Sequence, residues 1–329
     1  MGASAGGVRA LLRLAPQLRA GFGAPILLVL HIGRNRSLLP DLLTAHGPNR
    51  AVFARTGMVP QPGVIYVAPP DEHLLVEGAV LRVQHGPKVH HARPAIDPLF
   101  HSAAIEFGAQ VIGVILTGML DDGSAGLHAV KTCGGIAVVQ DPDDALEPSM
   151  PRSALASAEV DHVARLDDMA DLLNRLVQAG DPAPSSRVPE WLLTEHAVSL
   201  GKAGMEQLGR IGTPSALTCP DCGGGLFELK EGRPLRFICH TGHAFTLASL
   251  ASAQEQLADE ALWSALRALQ EKEAVLQRMA QDGGPTGPST LLLTQARKLG
   301  NYITLIRRDI EEAPPDPGTV GEPGEGNVW

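Results

Sequence analysis

The sequence has 329 residues, enough for about two domains, and its net charge of −9 argues against a nucleic-acid surface, which needs clustered lysine and arginine. Its apolar content of 44% is ordinary for a globular protein, and no apolar run reaches the roughly 18 to 20 residues of a membrane span. Because the sequence has neither a signal-peptide pattern nor a disulfide framework among its four cysteines, we expect a cytoplasmic protein without membrane insertion.

The N-terminal half of the chain alternates apolar runs with stretches of helical periodicity. Apolar runs predict strands at residues 24–30, 63–68, 111–116 and 135–140, with a β-hairpin at residues 73–83. Helical spacing predicts helices at residues 6–20, 37–45, 97–107, 123–133, 153–158 and 167–179. This alternation indicates an α/β domain over residues 1–179, with a doubly wound, mostly parallel sheet covered by helices on both faces.

The rest of the chain divides by composition. A Pro- and Ser-rich linker and a partly helical connector occupy residues 180–212, and a cysteine cluster marks a small module at residues 213–250. Apolar stripes at spacings of three, four and seven predict a helical hairpin over residues 251–312, interrupted at residues 282–288. The Pro- and Gly-rich acidic tail at residues 313–329 is expected to be disordered.

The first seven residues contain a glycine-rich turn around a serine. Residues 2–6 fit the G-x-S-x-G pattern of a nucleophile elbow, in which small neighbours let a serine such as Ser4 expose its hydroxyl on a strand-to-helix turn. Turns of this kind also start ordinary helices or approach phosphates. Only three residues precede Ser4, so we expect the strand that normally leads into such an elbow to be missing.

Ser4 has two kinds of candidate partner, each in a loop after a predicted strand. His31 follows the run at residues 24–30, and Asp121 and Asp122 follow the run at residues 111–116. Such loops converge at one edge of a doubly wound sheet, where an imidazole can take the proton of a serine and a carboxylate can orient the imidazole. Other loop histidines are expected to be solvated: His73, His85, His90 and His91.

A second cluster has the spacing of metal ligands. Cys219 and Cys222 form a C-x2-C pair, and Cys239 and His243 form a C-x3-H pair, which suits tetrahedral Zn²⁺; His240 is the alternative fourth ligand. A C-x-x-C redox pair is disfavoured because no thioredoxin-like βαβ unit surrounds it. Residues 226–229 and 235–238 resemble the hairpin strands of a zinc ribbon.

Four protein ligands would close the coordination sphere of this metal. We therefore expect a structural zinc ion and not a hydrolytic one. Metal-free protein is expected to lose only this module. Loss of esterase activity on chelation without unfolding of residues 213–250 would contradict a structural role.

Several motifs, in this order, resemble the catalytic domain of chemotaxis protein-glutamate methylesterases over residues 2–176. They are Gly2-Ala3-Ser4-Ala5-Gly6-Gly7, His31 after its strand, Tyr66-Val67-Ala68-Pro69-Pro70-Asp71-Glu72-His73, Arg93-Pro94-Ala95-Ile96-Asp97, Ile115-Leu116-Thr117-Gly118-Met119-Leu120-Asp121-Asp122-Gly123 and Met150-Pro151-Arg152. The resemblance implies hydrolysis of γ-glutamyl methyl esters on the helical cytoplasmic domain of a chemoreceptor, with amidase activity on glutamine in some members and no catalytic cofactor.

The resemblance also assigns roles to individual residues. It implies that Ser4 is the nucleophile, that His31 is the general base, and that Asp122 and not Asp121 is the third member of the triad. Met119 lies in the loop that the family places beside its active site, where its backbone N–H can bind an oxyanion. Ala5, directly after Ser4, and the helix N-terminus that follows it can supply further donors.

Two departures from the family pattern lead to further expectations. No receiver domain precedes Ser4 in this sequence, so we expect no control by phosphorylation within the chain. Because the strand before the nucleophile is missing, we expect the true start to lie upstream, with an extended chain active and this one weak.

Two functions from different classes follow from these patterns. The first is a stand-alone serine methylesterase with a zinc-ribbon and helical extension. The second is a weak or inactive adaptor in which the esterase fold, the zinc module and the helices bind proteins. Expected partners are chemoreceptor helices and, through the C-terminal helices, a signalling regulator or a second copy of the chain.

Overall fold

The structure is a computed structural model that divides into two compact units, Met1–Ala251 and Ser252–Trp329. It describes residues 1–33, 36–179, 188–282 and 290–312. All of the expected linker at residues 180–186, most of the expected hairpin interruption and all of the expected disordered tail lie outside the described residues. No helix in the described ranges is both long enough and apolar enough to cross a bilayer.

The first 179 residues contain a parallel sheet and a separate hairpin. Their strands are β1 (Gly2–Ala3), β2 (Ile26–Leu30), β3 (Arg50–Phe53), β4 (Val64–Val67), β5 (His73–Glu77), β6 (Val80–Gln84), β7 (Ile112–Ile115), β8 (Ile136–Gln140) and β9 (His162–Ala164). Seven of them form the sheet β3-β4-β2-β1-β7-β8-β9, in which every pair is parallel, whereas β5 and β6 pair antiparallel. The predicted parallel sheet and hairpin are confirmed, although β3 and β9 were not expected.

Helices cover both faces of this sheet. They are α1 (Gly7–Leu14), α2 (Leu39–His46), α3 (Ile96–Phe107), α4 (Ser124–Thr132), α5 (Ser149–Ser157) and α6 (Leu166–Gln178). Along β2, Leu28 and Leu30 belong to the core with α1, α2 and α6, and Val29 belongs to the core with α3, α4 and α5. Both faces of the strand are therefore apolar, which is why its sequence reads as a continuous run. The predicted α/β class is confirmed.

The central strand β1 is short but present. Gly2 pairs with Val29 on one side and with Ile115 on the other, so the expectation that the sheet lacks this strand is wrong. The strand is easily overlooked because two residues are too few to show an apolar pattern. Beside Met1, an open cleft of about 350 Å³ separates the starts of β2 and β7. The expected upstream start stays a prediction.

The remaining described elements form a second sheet and four helices. They are α7 (Glu190–Ser199), α8 (Met205–Ile211), β10 (Gly212–Thr218), β11 (Gly225–Leu229), β12 (Arg236–Cys239), β13 (Ala244–Thr246), α9 (Leu247–Gln281) and α10 (Thr290–Glu312). Strands β10 to β13 pair antiparallel in chain order. We call residues 212–246 the cysteine module. The expected domain boundaries and the partners of α9 and α10 stay predictions.

A buried ion pair joins α7 to the cysteine module. Arg236 donates from Nη1 to Glu195 Oε1 at 2.7 Å, and the two side chains are 3% and 5% exposed. The Arg236 guanidinium also lies 5.3 Å from the ring centroid of Trp191. Burial raises the pKa of Glu195. These contacts attach the cysteine module to α7, and both belong to the unit Met1–Ala251.

Glu195→Ala is expected to lower the free energy of unfolding by about 3 kcal/mol, because it leaves the Arg236 charge buried without a partner. Urea denaturation measures the loss. The control is Glu206→Ala, which breaks an exposed pair with Arg210 and should change stability by less than about 1 kcal/mol. Equal losses in the two variants would contradict a structural role for the buried pair.

Candidate active site

Ser4 lies in a tight turn between β1 and α1. Its amide donates to the carbonyl of Thr117 at 3.0 Å, and its carbonyl accepts from the amide of Gly7 at 2.8 Å. Gly6 has φ 76°, a left-handed conformation that glycine adopts without a steric penalty. A side chain at Gly118 would come within 2.9 Å of Ser4 Cβ. Glycines on both sides therefore let the loop after β7 pack directly against the serine.

His31 follows β2 and contacts both other members of the expected triad. Its Nδ1 lies 3.0 Å from Ser4 Oγ, and its Nε2 lies 2.7 Å from Asp122 Oδ2. A carboxylate accepts only, so the proton belongs on Nε2 and leaves Nδ1 free to accept the serine proton. The ring is turned relative to the Ser-His-Asp template, in which Nε2 is the base.

Asp122 is the buried end of this chain of hydrogen bonds. Besides His31, its carboxylate accepts from the backbone amide of Ile96 at 2.6 Å and from that of Asp97 at 3.1 Å. Burial by itself raises the pKa of Asp122, but the hydrogen bond and charge of His31, with further help from His90 and the Ile96 amide, lower it to about 2. The group is therefore ionised at neutral pH and can orient an imidazole.

His31 contacts Asp122, whereas Asp121 interacts with Thr246. The Asp121 side chain is buried, and it accepts a hydrogen bond from the Thr246 hydroxyl. Burial raises the pKa of Asp121. The carboxyl group that the structure brings to His31 is therefore that of Asp122, whereas Asp121 faces the cysteine module.

The expected oxyanion donors lie in two adjacent loops. Ala5 is the residue after Ser4, and Met119 follows Gly118 in the loop that contacts Ser4. Among the described residues, no atom accepts a hydrogen bond from the amide of Ala5 or of Met119. Both amides can therefore donate to a substrate oxygen, and their role stays a prediction.

Two loop histidines are buried, so the expectation that they are solvated is wrong. His73 Nε2 lies 2.8 Å from the carbonyl of Pro87, and burial lowers the pKa of His73 to about 4. His90 lies 2.7 Å from Asp97 Oδ2; burial alone lowers the pKa of His90, but the hydrogen bond and the nearby carboxylates raise it to about 9. No local sequence pattern marks either residue, because their partners lie 14 and 7 residues away and no spacing rule connects them.

The four expected metal ligands come together in the cysteine module. The ligand atoms of Cys219, Cys222, Cys239 and His243 all lie within 4.8 Å of one another. Cys222 Sγ is 3.8 Å from Cys239 Sγ, which is 3.5 Å from His243 Nδ1. Zinc bound ~2.3 Å from each sulfur in a tetrahedron holds two sulfurs about 3.8 Å apart. The donor set and its spacing therefore fit Zn²⁺, and His240 is not in the cluster.

Comparisons with known proteins concern the first half of the chain. Residues 1–173 match the family model of CheB methylesterase. A provisionally named protein-glutamate methylesterase/protein-glutamine glutaminase of Leptospira interrogans is 41% identical over 180 residues, or 54% of this chain and 93% of that protein. Protein-glutamate methylesterase/protein-glutamine glutaminase 3 of Anaeromyxobacter dehalogenans is 39% identical over 174 residues, or 52% of this chain and 51% of that protein.

Among solved structures, the Thermotoga maritima CheB methylesterase catalytic domain is 30% identical, with a TM-score of 0.49 over 53% of this chain and 95% of that chain. The family model alone covers more than half of the 329 residues. The chain therefore belongs to the CheB methylesterase family.

Proposed function

We propose that this enzyme hydrolyses γ-glutamyl methyl esters, and deamidates glutamine side chains, on the helical cytoplasmic domain of a chemoreceptor. The observation that supports the proposal most strongly is the continuous contact from Ser4 Oγ through His31 to Asp122. These side chains come from three separate loops at one edge of the sheet, where open α/β sheets place their ligands.

In the acylation step, Ser4 Oγ attacks the ester carbonyl while His31 Nδ1 takes the hydroxyl proton. The resulting oxyanion can bind the amides of Ala5 and Met119, in the manner of an oxyanion hole. His31 then returns the proton to the methoxide oxygen, so that methanol leaves and an acyl-serine remains. Water attacks the acyl-serine with His31 again as the base, which releases the glutamate side chain and regenerates Ser4.

Methanol release tests this function. A methylated receptor cytoplasmic fragment should yield methanol in proportion to the enzyme, and the receptor should gain free carboxylates at the same rate. The adaptor alternative predicts binding of the fragment without methanol. Absence of methanol release by protein that binds the methylated fragment would therefore contradict the proposal.

We also propose that the cysteine module holds one structural Zn²⁺ through Cys219, Cys222, Cys239 and His243. The ion would cross-link the turn of Cys219 and Cys222 to the turn of Cys239 and His243. Because all four donors come from the protein, no coordination position is left open for substrate.

Purified protein is expected to contain about one zinc ion per chain, because the four donors form a single site. Cys222→Ser should lose the metal and the cooperative unfolding of residues 212–246, as measured by atomic absorption and by hydrogen exchange. The control Cys133→Ser changes a buried cysteine outside the cluster and should keep the zinc. Full zinc content in Cys222→Ser would contradict the ligand set.

A further inference from the structure

The loop that carries His90 lies between the cysteine module and the acid of the triad. On the module side, the amide of His90 donates to the carbonyl of Ala244 at 2.8 Å, directly after the ligand His243. Asp221, which lies between the ligands Cys219 and Cys222, accepts from His91 Nδ1 at 2.8 Å. Both metal-binding turns therefore contact this loop.

On the other side, the same loop reaches the catalytic acid. His90 Nε2 lies 2.7 Å from Asp97 Oδ2 and 3.8 Å from Asp122 Oδ1. The other carboxylate oxygen of Asp97 accepts from the amide of Gly126 at 2.6 Å, so Asp97 joins the first turns of α3 and α4. The amides of Ile96 and Asp97 in the first turn of α3 donate to Asp122. His90 therefore fixes the first turn of α3 through Asp97, and the two amides of that turn bind Asp122.

The second nitrogen of His90 is bound by the turn that follows the cysteine module. His90 Nδ1 lies 2.9 Å from Ser249 Oγ, which also accepts from the amide of Thr246 at 2.9 Å. Thr246 in turn binds Asp121, the neighbour of Asp122. Ser249 and Thr246 are almost completely buried, with 2% and 1% of their surface exposed.

The loop needs these contacts to keep its shape. His90 and His91 have φ 52° and 61°, and two consecutive left-handed residues other than glycine are rare. Such a conformation persists only where surrounding contacts impose it. Without the contacts to Ala244, Asp221 and Ser249, the loop is expected to relax and withdraw His90 from Asp97.

We propose that His90 and Ser249 are positioning residues of the esterase, and that the metal-bound cysteine module braces the catalytic acid by holding His90 against Asp97. The brace acts through the first turn of α3, whose two amides fix the Asp122 carboxylate toward His31. The metal is therefore outside the reaction but sets the geometry of the triad. This inference rests on the proposed esterase function.

The test compares kcat, KM and amide exchange in the full chain. Removing zinc with a chelator, or Ser249→Ala with zinc bound, should lower kcat by a factor on the order of 10 to 100, since small displacements of a catalytic group have effects of this size. KM should change little. Hydrogen exchange at the Ile96 and Asp97 amides should become faster in both cases.

Two further variants separate positioning from general stability. Ser249→Thr keeps the hydroxyl and should restore kcat and slow exchange, whereas Ser252→Ala, on an exposed position of the same helix, should behave as wild type. His90→Gln combined with Ser249→Ala should be no slower than His90→Gln alone, because both act through one contact. Two residues that act through the same contact should show non-additive effects on kcat.

Unchanged kcat and unchanged exchange at residues 96 and 97, in zinc-free protein and in Ser249→Ala, would overturn the proposal. If wild type released no methanol at all, the proposed function would fail and the exchange measurement would still decide whether the brace exists. Faster exchange at residues 96 and 97 in the zinc-free protein would then support the brace, and unchanged exchange would reject it.

Discussion

Ser4→Ala is expected to lower kcat for methyl-ester hydrolysis by a factor on the order of 10³ to 10⁶, the range found when a triad nucleophile is removed. The hydroxyl lies 3.0 Å from Nδ1 of the base His31, whose other ring nitrogen contacts Asp122. Methanol release from a methylated receptor fragment measures the effect. The melting temperature should stay within about 2 °C of wild type, because one partly buried hydrogen bond is lost.

The matched control is Ser157→Ala at the end of α5, which removes a serine hydroxyl away from His31. It should leave kcat unchanged. If Ser4→Ala released methanol as fast as this control, Ser4 would not be the nucleophile and the adaptor function would be favoured.

Asp122→Asn is expected to lower kcat by about 10⁴-fold, because an amide no longer enforces the Nε2-protonated form of His31 or stabilises its imidazolium. The variant should also lose about 1–3 kcal/mol of stability. The Asp122 carboxylate accepts hydrogen bonds from His31 and from the backbone amides of Ile96 and Asp97 with its two oxygens. The asparagine side chain has only one oxygen, so at least one of these donors would lose its acceptor. Steady-state kinetics and urea denaturation measure the two effects.

Asp144→Asn is the control for the structural part of this effect. The Asp144 side chain is 6% exposed, against 3% for Asp122, and it accepts from a backbone amide at a helix start, that of Leu166, but it does not contact His31. It should lose stability and keep kcat. Equal kcat losses in the two variants would show that Asp122 acts through folding alone.

The sequence predicts most of this sheet because its strands are buried on both faces. The runs that became β2, β7 and β8 are continuously apolar, and the loops after β2 and β7 carry His31 and Asp122. The position of each loop relative to the sheet edge follows from the parallel topology. The sequence could not show the two-residue strand β1, whose place depends on pairing with β2 and β7.

The candidate site was predictable where its residues occur at fixed spacing. The cysteine pairs are recognisable in this way because metal ligands must lie on short turns. The choice between Asp121 and Asp122 required the resemblance to known esterases, since both residues suit the chemistry. His90 was not predictable, because its partners Asp97 and Ser249 are 7 and 159 residues away and no spacing rule connects them.

Labelling with a fluorophosphonate ester tests the central claim most directly, because such reagents react with an activated serine hydroxyl and stay bound to it. Peptide mass spectrometry of the treated protein should find one label per chain, on Ser4, and His31→Ala should greatly slow its attachment. A protein that releases methanol from the methylated receptor while its label lies on another residue, or on none, would contradict the assignment of Ser4 as the nucleophile.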